Sequence, residues 1–247
     1  MSMIKTRLRD FKLSGIYNSY EERIKYAQDK CLSYEEFLEM LLEDEENNRR
    51  DNSFKKRYSK AKFPYSKNIE DFDFSFQPSI DKRTINDICT CQFVKEARNV
   101  VFIGPPGVGK SHLSTGIGIK AVAKGYKVLF TQVNEMLQNL YFSKADNSYY
   151  AKLNYYLSPD VLVLDELGFK KIPSYSADDF FEVISKRYEK GSVIITTNKG
   201  FESWGEIFAD PILASAIIDR IVHYSIVINI NGPSYRTKDI KEKGGGN

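Results

Sequence analysis

One segment, Gly104-Pro-Pro-Gly-Val-Gly-Lys110-Ser111, constrains this chain more than any other. It follows the apolar run Val100 to Ile103 directly and opens into a stretch that reads as a helix. Strand, glycine loop and helix in that order make a cradle for phosphate. The glycines let backbone N–H groups turn inward, and the helix presents its positive end. Lys110 adds a cation where a transferred phosphate would lie, and Ser111 adds a hydroxyl able to hold Mg²⁺. The expected nucleotide contacts are therefore Gly104, Pro105, Pro106, Gly107, Val108, Gly109, Lys110, Ser111 and His112. A glycine-rich turn without a ligand would need neither the strand before nor the helix after.

Two further apolar runs end in polar groups. Val161-Leu-Val-Leu-Asp165-Glu166 is a buried strand leading into two acids. Asp165 is expected in a magnesium shell, and Glu166, at the strand's exit, as the general base for an attacking water. That second acid favours hydrolysis over nucleotide binding alone. In Ser192-Val-Ile-Ile-Thr-Thr-Asn198, Asn198 is placed to orient the same water.

The apolar β-branched runs at Val100 to Ile103, Lys127 to Val133, Val161 to Leu164, Val193 to Thr197 and Ile226 to Ile230 alternate with helical patterns. This predicts an α/β fold with a five-stranded parallel sheet flanked by helices. Residues 1–66 hold Gly15 as their one glycine and carry charges at helical spacing, which predicts a small all-helical N-terminal domain. There Ser33-Tyr-Glu-Glu36 has the form of a capping box, and Phe37, Leu38, Leu41 and Leu42 share one helix face. Residues 67–98 read as an aromatic linker, with Phe72, Phe74 and Phe76 alternating, followed by a first helix. The nucleotide-binding domain spans 99–238, and 239–247, ending Gly-Gly-Gly-Asn, reads as a disordered tail.

With 42% hydrophobic and 28% charged residues over 247 positions, the chain can bury a core without disulfides. Cys31, Cys89 and Cys91 read as reduced thiols. Cys-Thr-Cys is too tight for a zinc knuckle and has no matching histidine pair, since the two histidines are His112 and His223. The balance of 36 basic and 33 acidic residues, net +3, is too near neutral to mark a nucleic-acid binder by total charge. Basic charge is local instead: residues 49–67 hold eight Lys or Arg against Asp51, with Phe54, Tyr58 and Phe63 interleaved. Arg49, Arg50, Lys55, Lys56, Arg57 and Lys60 are the expected contacts to DNA phosphates, made through backbone and shape. The same run also reads as a solvated helix face. Lys144, Lys152 and Tyr149-Tyr150 offer a second surface for DNA. No apolar run approaches the ~20 residues of a membrane span. The N-terminus lacks the apolar stretch of a secretory signal, so a cytoplasmic protein is expected.

The order of phosphate loop, Asp165-Glu166 and Asn198 resembles an AAA+ ATPase of the initiator and helicase-loader branch. The resemblance narrows with Lys62-Phe-Pro, Asp71-Phe-Asp-Phe-Ser-Phe-Gln-Pro-Ser79, Asp165-Glu-Leu-Gly168, Arg187-Tyr-Glu-Lys-Gly191, Ser203-Trp-Gly-Glu-Ile-Phe208 and Ser234-Tyr-Arg236. Together these resemble the IstB-like transposition helper ATPases of bacterial insertion sequences, over nearly the whole chain. The resemblance implies ATP and ADP with Mg²⁺ as ligands, and a homo-oligomer with ATP sites between subunits. It also implies binding and deformation of double-stranded DNA, and delivery of that DNA to a partner transposase. The Asn198 strand would lie between the phosphate-loop and Asp165 strands. Arg220, in Ile218-Asp-Arg220-Ile, would complete a neighbour's ATP site; Arg187 is a rival, though its helix is better suited to packing. Arg236 matches a sensor arginine in cis, but 11 residues follow it (247 − 236), too few for the usual helical lid, so the lid is absent or truncated. A DnaC-like replicative helicase loader is the alternative within the same chemistry. A small-molecule kinase would need an arginine-bearing lid, and a non-catalytic scaffold would not need Lys110, Asp165 and Glu166 together.

Overall fold

The computed structural model describes residues 3–237. The expected tail at 239–247 lies outside the described residues. The chain divides into two compact units between Lys56 and Arg57, ten residues before the sequence-based boundary at 66. The physical reason is local: Arg57 Nε donates to Val122 O at 3.4 Å, and Ala61 is fully buried, so the residues after 56 pack with the sheet-bearing unit.

The first unit is helical, as expected. It contains α1 (Met3–Asp10), α2 (Ser14–Lys30) and most of α3 (Tyr34–Ala61). The capping box forms, with Glu36 N–H donating to Ser33 Oγ at 3.2 Å and Ser33 N–H to Glu36 Oε2 at 2.7 Å. α2 approaches α3 at Gly15, where a Cβ would fall 2.6 Å from Asp44 O and Glu45 Cα. The buried Glu45 carboxylate accepts the N–H groups of Gly15 (2.7 Å) and Ile16 (3.3 Å), two donors left free by the start of α2. Burial pushes this carboxyl up, but Arg49 and those two amides outweigh it and hold it below the usual carboxylate range. The predicted apolar face splits. Leu41 is buried in line with Glu45 four residues on, whereas Leu38 and Leu42 are each 56% exposed. They sit on the adjacent i, i+4 line with Tyr34, and α2 does not cover that line.

The second unit opens with the linker, then α4 (Lys82–Cys89) and α5 (Gln92–Lys95). The phenylalanine alternation does not make a strand. Asp73 accepts the N–H groups of Ser75 and Phe76 at 3.1 Å each, bending the segment into a turn. The sheet consists of β1 (Asn99–Ile103), β2 (Val128–Gln132), β3 (Val161–Leu167), β4 (Ser192–Thr197) and β5 (Ser225–Asn229). All pairings are parallel, in the order β2-β3-β4-β1-β5, which places the Asn198 strand between the other two site strands as the resemblance implied. The helices are α6 (Lys110–Ala123), α7 (Val133–Ser143), α8 (Tyr149–Leu157), α9 (Ser174–Arg187), α10 (Trp204–Phe208) and α11 (Pro211–Val222). β1, β3 and β4 are buried on both faces, as apolar runs in a parallel sheet should be. Val101, Leu162, Leu164, Val193 and Ile195 join one core with Leu137, Phe180, Trp204, Phe208 and Ile217 from α7 and α9 to α11. The alternate residues Val100, Phe102, Val163 and Ile194 turn to the opposite face and are equally buried. All strand C-termini therefore open toward the same end, where ligands of open α/β sheets sit.

Candidate nucleotide-binding site

β1 hands the chain to the phosphate loop at Gly104, and α6 starts at Lys110. The loop needs its glycines for two separate reasons. Gly107 (φ +83°) and Gly109 (φ +102°) take left-handed backbone. Neighbours also close in: a Cβ on Gly109 would meet the Phe72 ring at 2.5 Å, and one on Gly107 would collide with Ser234. Lys110 folds over the loop, its Nζ donating to Gly104 O (2.6 Å) and Pro105 O (2.8 Å). Burial pulls this ammonium down to about 8, against the opposing pull of Asp165.

Ser111 Oγ donates to both Asp165 carboxylate oxygens, at 2.8 and 3.0 Å. Thr196 Oγ1, in β4, donates to Asp165 Oδ1 at 2.5 Å and accepts the N–H of Glu166 at 3.0 Å. Sequence reasoning missed Thr196. Its signal was a polar residue within an apolar strand one position before the terminal threonine. Glu166 is exposed and has φ +64°, where the β3–β4 register slips between Leu164 and Leu167. A left-handed glutamate inside a strand stores strain of about 1–3 kcal/mol, and such outliers collect at functional sites. Asn198 is exposed immediately after Thr197, which pairs with Ile103 on one side and Leu167 on the other.

A cavity of about 370 Å³ lies over the loop, lined on one side by Gly107 to His112 and on the other by Tyr65, Phe72, Gln77, Tyr235 and Arg236. The linker forms its wall: His112 Nε2 meets Asn68 O at 2.7 Å, and the His112 and Phe72 rings sit edge to face, 5.3 Å apart. Tyr235 N–H donates to Gly107 O at 2.9 Å, and Gln77 Nε2 to Pro233 O at 2.8 Å. The tyrosine hydroxyl at 65 faces Ser111 and Thr115. Burial first, and the Asp165 charge second, push it up, so it remains a neutral phenol. Tyr65, Phe72 and Gln77 carried no phosphate-loop signal in sequence, because the tertiary path of the linker puts them there.

A hydroxyl touching one carboxylate beside a phosphate loop fits Mg²⁺, which takes one or two protein ligands and completes its shell with water and phosphate oxygens. Among the described residues no cluster of three His, Cys, Asp or Glu side chains could cage a metal without such help. All three cysteines are free.

The arginines separate clearly. Arg187 is 2% exposed and donates to the carbonyls of Tyr156, Leu157, Pro159, Asp160 and Ser192 at 2.8 to 3.2 Å. Burial draws it down to about 10. It is an internal tie between α8, β3 and β4, the packing role its helix suits, and its burial removes it as a rival finger. Arg220 lies partly buried, its guanidinium 4.8 Å from the centre of the Phe181 ring and Nη1 donating to Ala216 O at 2.9 Å. It does not line the cavity of its own chain, whereas the exposed Arg236 does.

A profile of the IstB-like ATP binding protein family matches residues 6–243. The chain belongs to that family. Among its relatives, the protein named as the ATP-binding protein of insertion sequence IS21 in Pseudomonas aeruginosa is 39% identical over 244 residues, 99% of this chain and 92% of the relative. That of IS5376 in Geobacillus stearothermophilus is 40% identical over 215 residues, 87% and 86% of the two chains. Solved structures place the fold of this IstB-like protein with the AAA+ initiators and loaders. The DnaC helicase loader aligns at TM-score 0.50 and 25% identity over 60% of this chain and 87% of its own. AMPPCP-bound DnaA from Aquifex aeolicus aligns at TM-score 0.56 and 21% identity, covering 74% of this chain and 56% of its own. No helix among the described residues is long and apolar enough to cross a membrane.

The residues expected to touch DNA are dispersed by the fold. Arg49 Nε pairs with Glu45 at 2.6 Å and Arg50 Nη2 with Glu46 at 2.8 Å, each one helical turn away. Lys55, Lys56 and Lys60 are exposed, and Arg57 is half-buried. In the second surface, Lys144 is committed to the buried Asp179 at 2.8 Å, and the Tyr149 hydroxyl donates to Asp179 and Glu182. These two side chains hold α7 and α8 to α9. Tyr150 remains exposed.

Proposed function

We propose that this chain is a Mg²⁺-dependent ATPase, stimulated by DNA, that assembles as an oligomer on double-stranded target DNA and recruits and stimulates a partner transposase. The observation carrying the chemistry is the Ser111–Asp165 contact, with Glu166 one residue beyond it on a bulged strand end. Ser111 and Asp165 would hold Mg²⁺, which when bound neutralises charge developing on the phosphoryl oxygens. Lys110 would exchange the carbonyls of Gly104 and Pro105 for the β- and γ-phosphate oxygens. Glu166 would take a proton from water as its oxygen bonds to the γ-phosphorus and the bond to the bridging oxygen breaks, leaving ADP and phosphate. Asn198 would orient that water, Arg236 would lie on the cavity wall in cis, and Arg220 would reach a neighbour's nucleotide. The transposition role rests on the family and on relatives named from insertion sequences. The helicase-loader alternative accounts for the fold, but not for a family match over residues 6–243.

The test is phosphate release with and without duplex DNA, followed by a strand-transfer assay with an insertion-sequence transposase as the candidate partner. Turnover that rises with DNA, and strand transfer that requires this protein with ATP, are expected. Absence of turnover in both conditions would refute the ATPase, and transposase activity indifferent to this protein would refute the helper role. Arg220→Ala should lose turnover, and mixing it with Lys110→Ala should restore part of it. No restoration in demonstrated mixed oligomers would exclude a role in trans.

A further inference from the structure

The sheet ends at β2, which pairs with β3 alone. Against this edge lies a groove of about 620 Å³, assembled from three distant stretches: the last turn of α3 with Lys62, the start of β2, and the end of α8 with the residues leading into β3. Its rim carries Arg57, Lys60, Lys62 and Lys127, its floor includes Leu129 and Tyr155, and no acidic residue lines it. Lys62 closes α3 in left-handed backbone (φ +57°), and its ammonium lies 5.3 Å from the centre of the Tyr155 ring. Lys152 approaches the same ring at 5.9 Å. Among the described residues no carboxylate forms an ion pair with Lys60, Lys62 or Lys127, and the neighbouring Asp160 accepts the backbone N–H of Lys127 at 2.7 Å. The three lysines, gathered this way, repel one another until an anion arrives.

We propose that this groove binds the sugar–phosphate backbone of a DNA strand. Phosphates repeated along a strand match cations spaced along a rim, and sugar carbons match an apolar floor, with no base read. The groove shares no residue with the nucleotide cavity. The proposal rests on the DNA-binding reading above and moves the main contact from the exposed face of α3 to the edge of the ATPase sheet.

The experiment is fluorescence anisotropy of a labelled 30-base-pair duplex between 50 and 200 mM KCl, using the full chain. The Lys62→Ala/Lys127→Ala variant should lower the log–log salt slope by about 1.8, near 0.9 for each phosphate no longer neutralised, so that affinity falls roughly tenfold less than wild type across this range. Lys62→Arg/Lys127→Arg should retain the wild-type slope, and ATP affinity should not change in either. If the double alanine variant fails to bind ATP, Lys62→Gln and Lys127→Gln singly should each lower the slope by about 0.9. An unchanged slope in variants that bind ATP, with wild type binding duplex, would overturn the groove and leave the DNA reading standing. Wild type that binds no duplex at any salt would overturn both. Polyglutamate captured through Lys62 and Lys127 in place of duplex would also overturn the proposal and make the occupant an acidic peptide.

Discussion

In the phosphate loop, groups adjacent in the chain converge on one point, whereas in the basic run from Arg49 to Lys60 adjacent cations diverge. Lys110 and Ser111 sit at the first turn of α6, and both reach into the same end of the sheet. Along α3, each residue is turned by about 100° from the last, so a contiguous run covers the whole cylinder. Arg49 and Arg50 find glutamates one turn back, and Arg57 and Lys60, which belong to the second unit, line a groove there. A loop is a backbone device whose parts must be neighbours in sequence. A charge run has no such requirement, and its i−4 partners decide how much positive charge is left over.

The largest effects should break the loop side of this contrast. Glu166→Gln keeps the shape but removes the proton acceptor, so turnover should fall by about 10²–10⁴-fold while ATP stays bound. Lys110→Ala should do the reverse and lose ATP affinity by on the order of 100-fold, because charge-assisted hydrogen bonds contribute about 1.5–3 kcal/mol each. Affinity and single-turnover hydrolysis, measured separately, check the pair. Wild-type hydrolysis in Glu166→Gln would remove it as general base.

Thr196→Val is the next in size. Valine keeps the branched shape suited to β4 but leaves the Glu166 N–H and Asp165 each short of a partner. The Mg²⁺ concentration for half-maximal turnover should rise by about 10–100-fold, as it does when groups that orient metal ligands are removed. A magnesium titration at saturating ATP reads this directly.

A smaller effect follows from the Lys110 ammonium, drawn down to about 8 by burial. Phosphates favour its charged form, so the complex holds that proton more tightly than the free protein does. Nucleotide binding should therefore take up protons above pH 8, and affinity should fall by up to about tenfold per pH unit there. Calorimetry in buffers of different ionisation enthalpy would detect the uptake, and pH-independent affinity between 8 and 9.5 would contradict it.

The smallest effect sharpens the basic side. Arg49→Ala/Arg50→Ala should change the salt slope for duplex binding by less than the ~0.9 expected of one phosphate contact, because both arginines are neutralised within their own helix. Lys55→Ala/Lys56→Ala, which removes two exposed lysines, should change it more. Equal changes from the two pairs would show that the glutamates give way to phosphate.

The residues themselves determined the five parallel strands, the helical N-terminal unit, the capping box at Ser33 and Glu36, and the strand–loop–helix around Lys110. Each of these depends on periodicity, or on groups a few residues apart, and such short-range geometry is fixed by backbone rules. The meeting of Ser111 with Asp165 was legible for a related reason, since buried parallel strands align their C-terminal ends. Tertiary structure alone decided the rest: Thr196 as the partner of Asp165, Tyr65 and Phe72 as the cavity wall, Arg187 as an internal tie, and the gathering of Lys62, Lys127 and Tyr155 at the free edge of β2. Apart from the Arg187–Ser192 bond, the partners in these cases lie tens of residues apart. Their proximity follows from how helices and linker pack on the sheet, a property of side-chain volume and burial summed over the whole unit rather than of any local pattern.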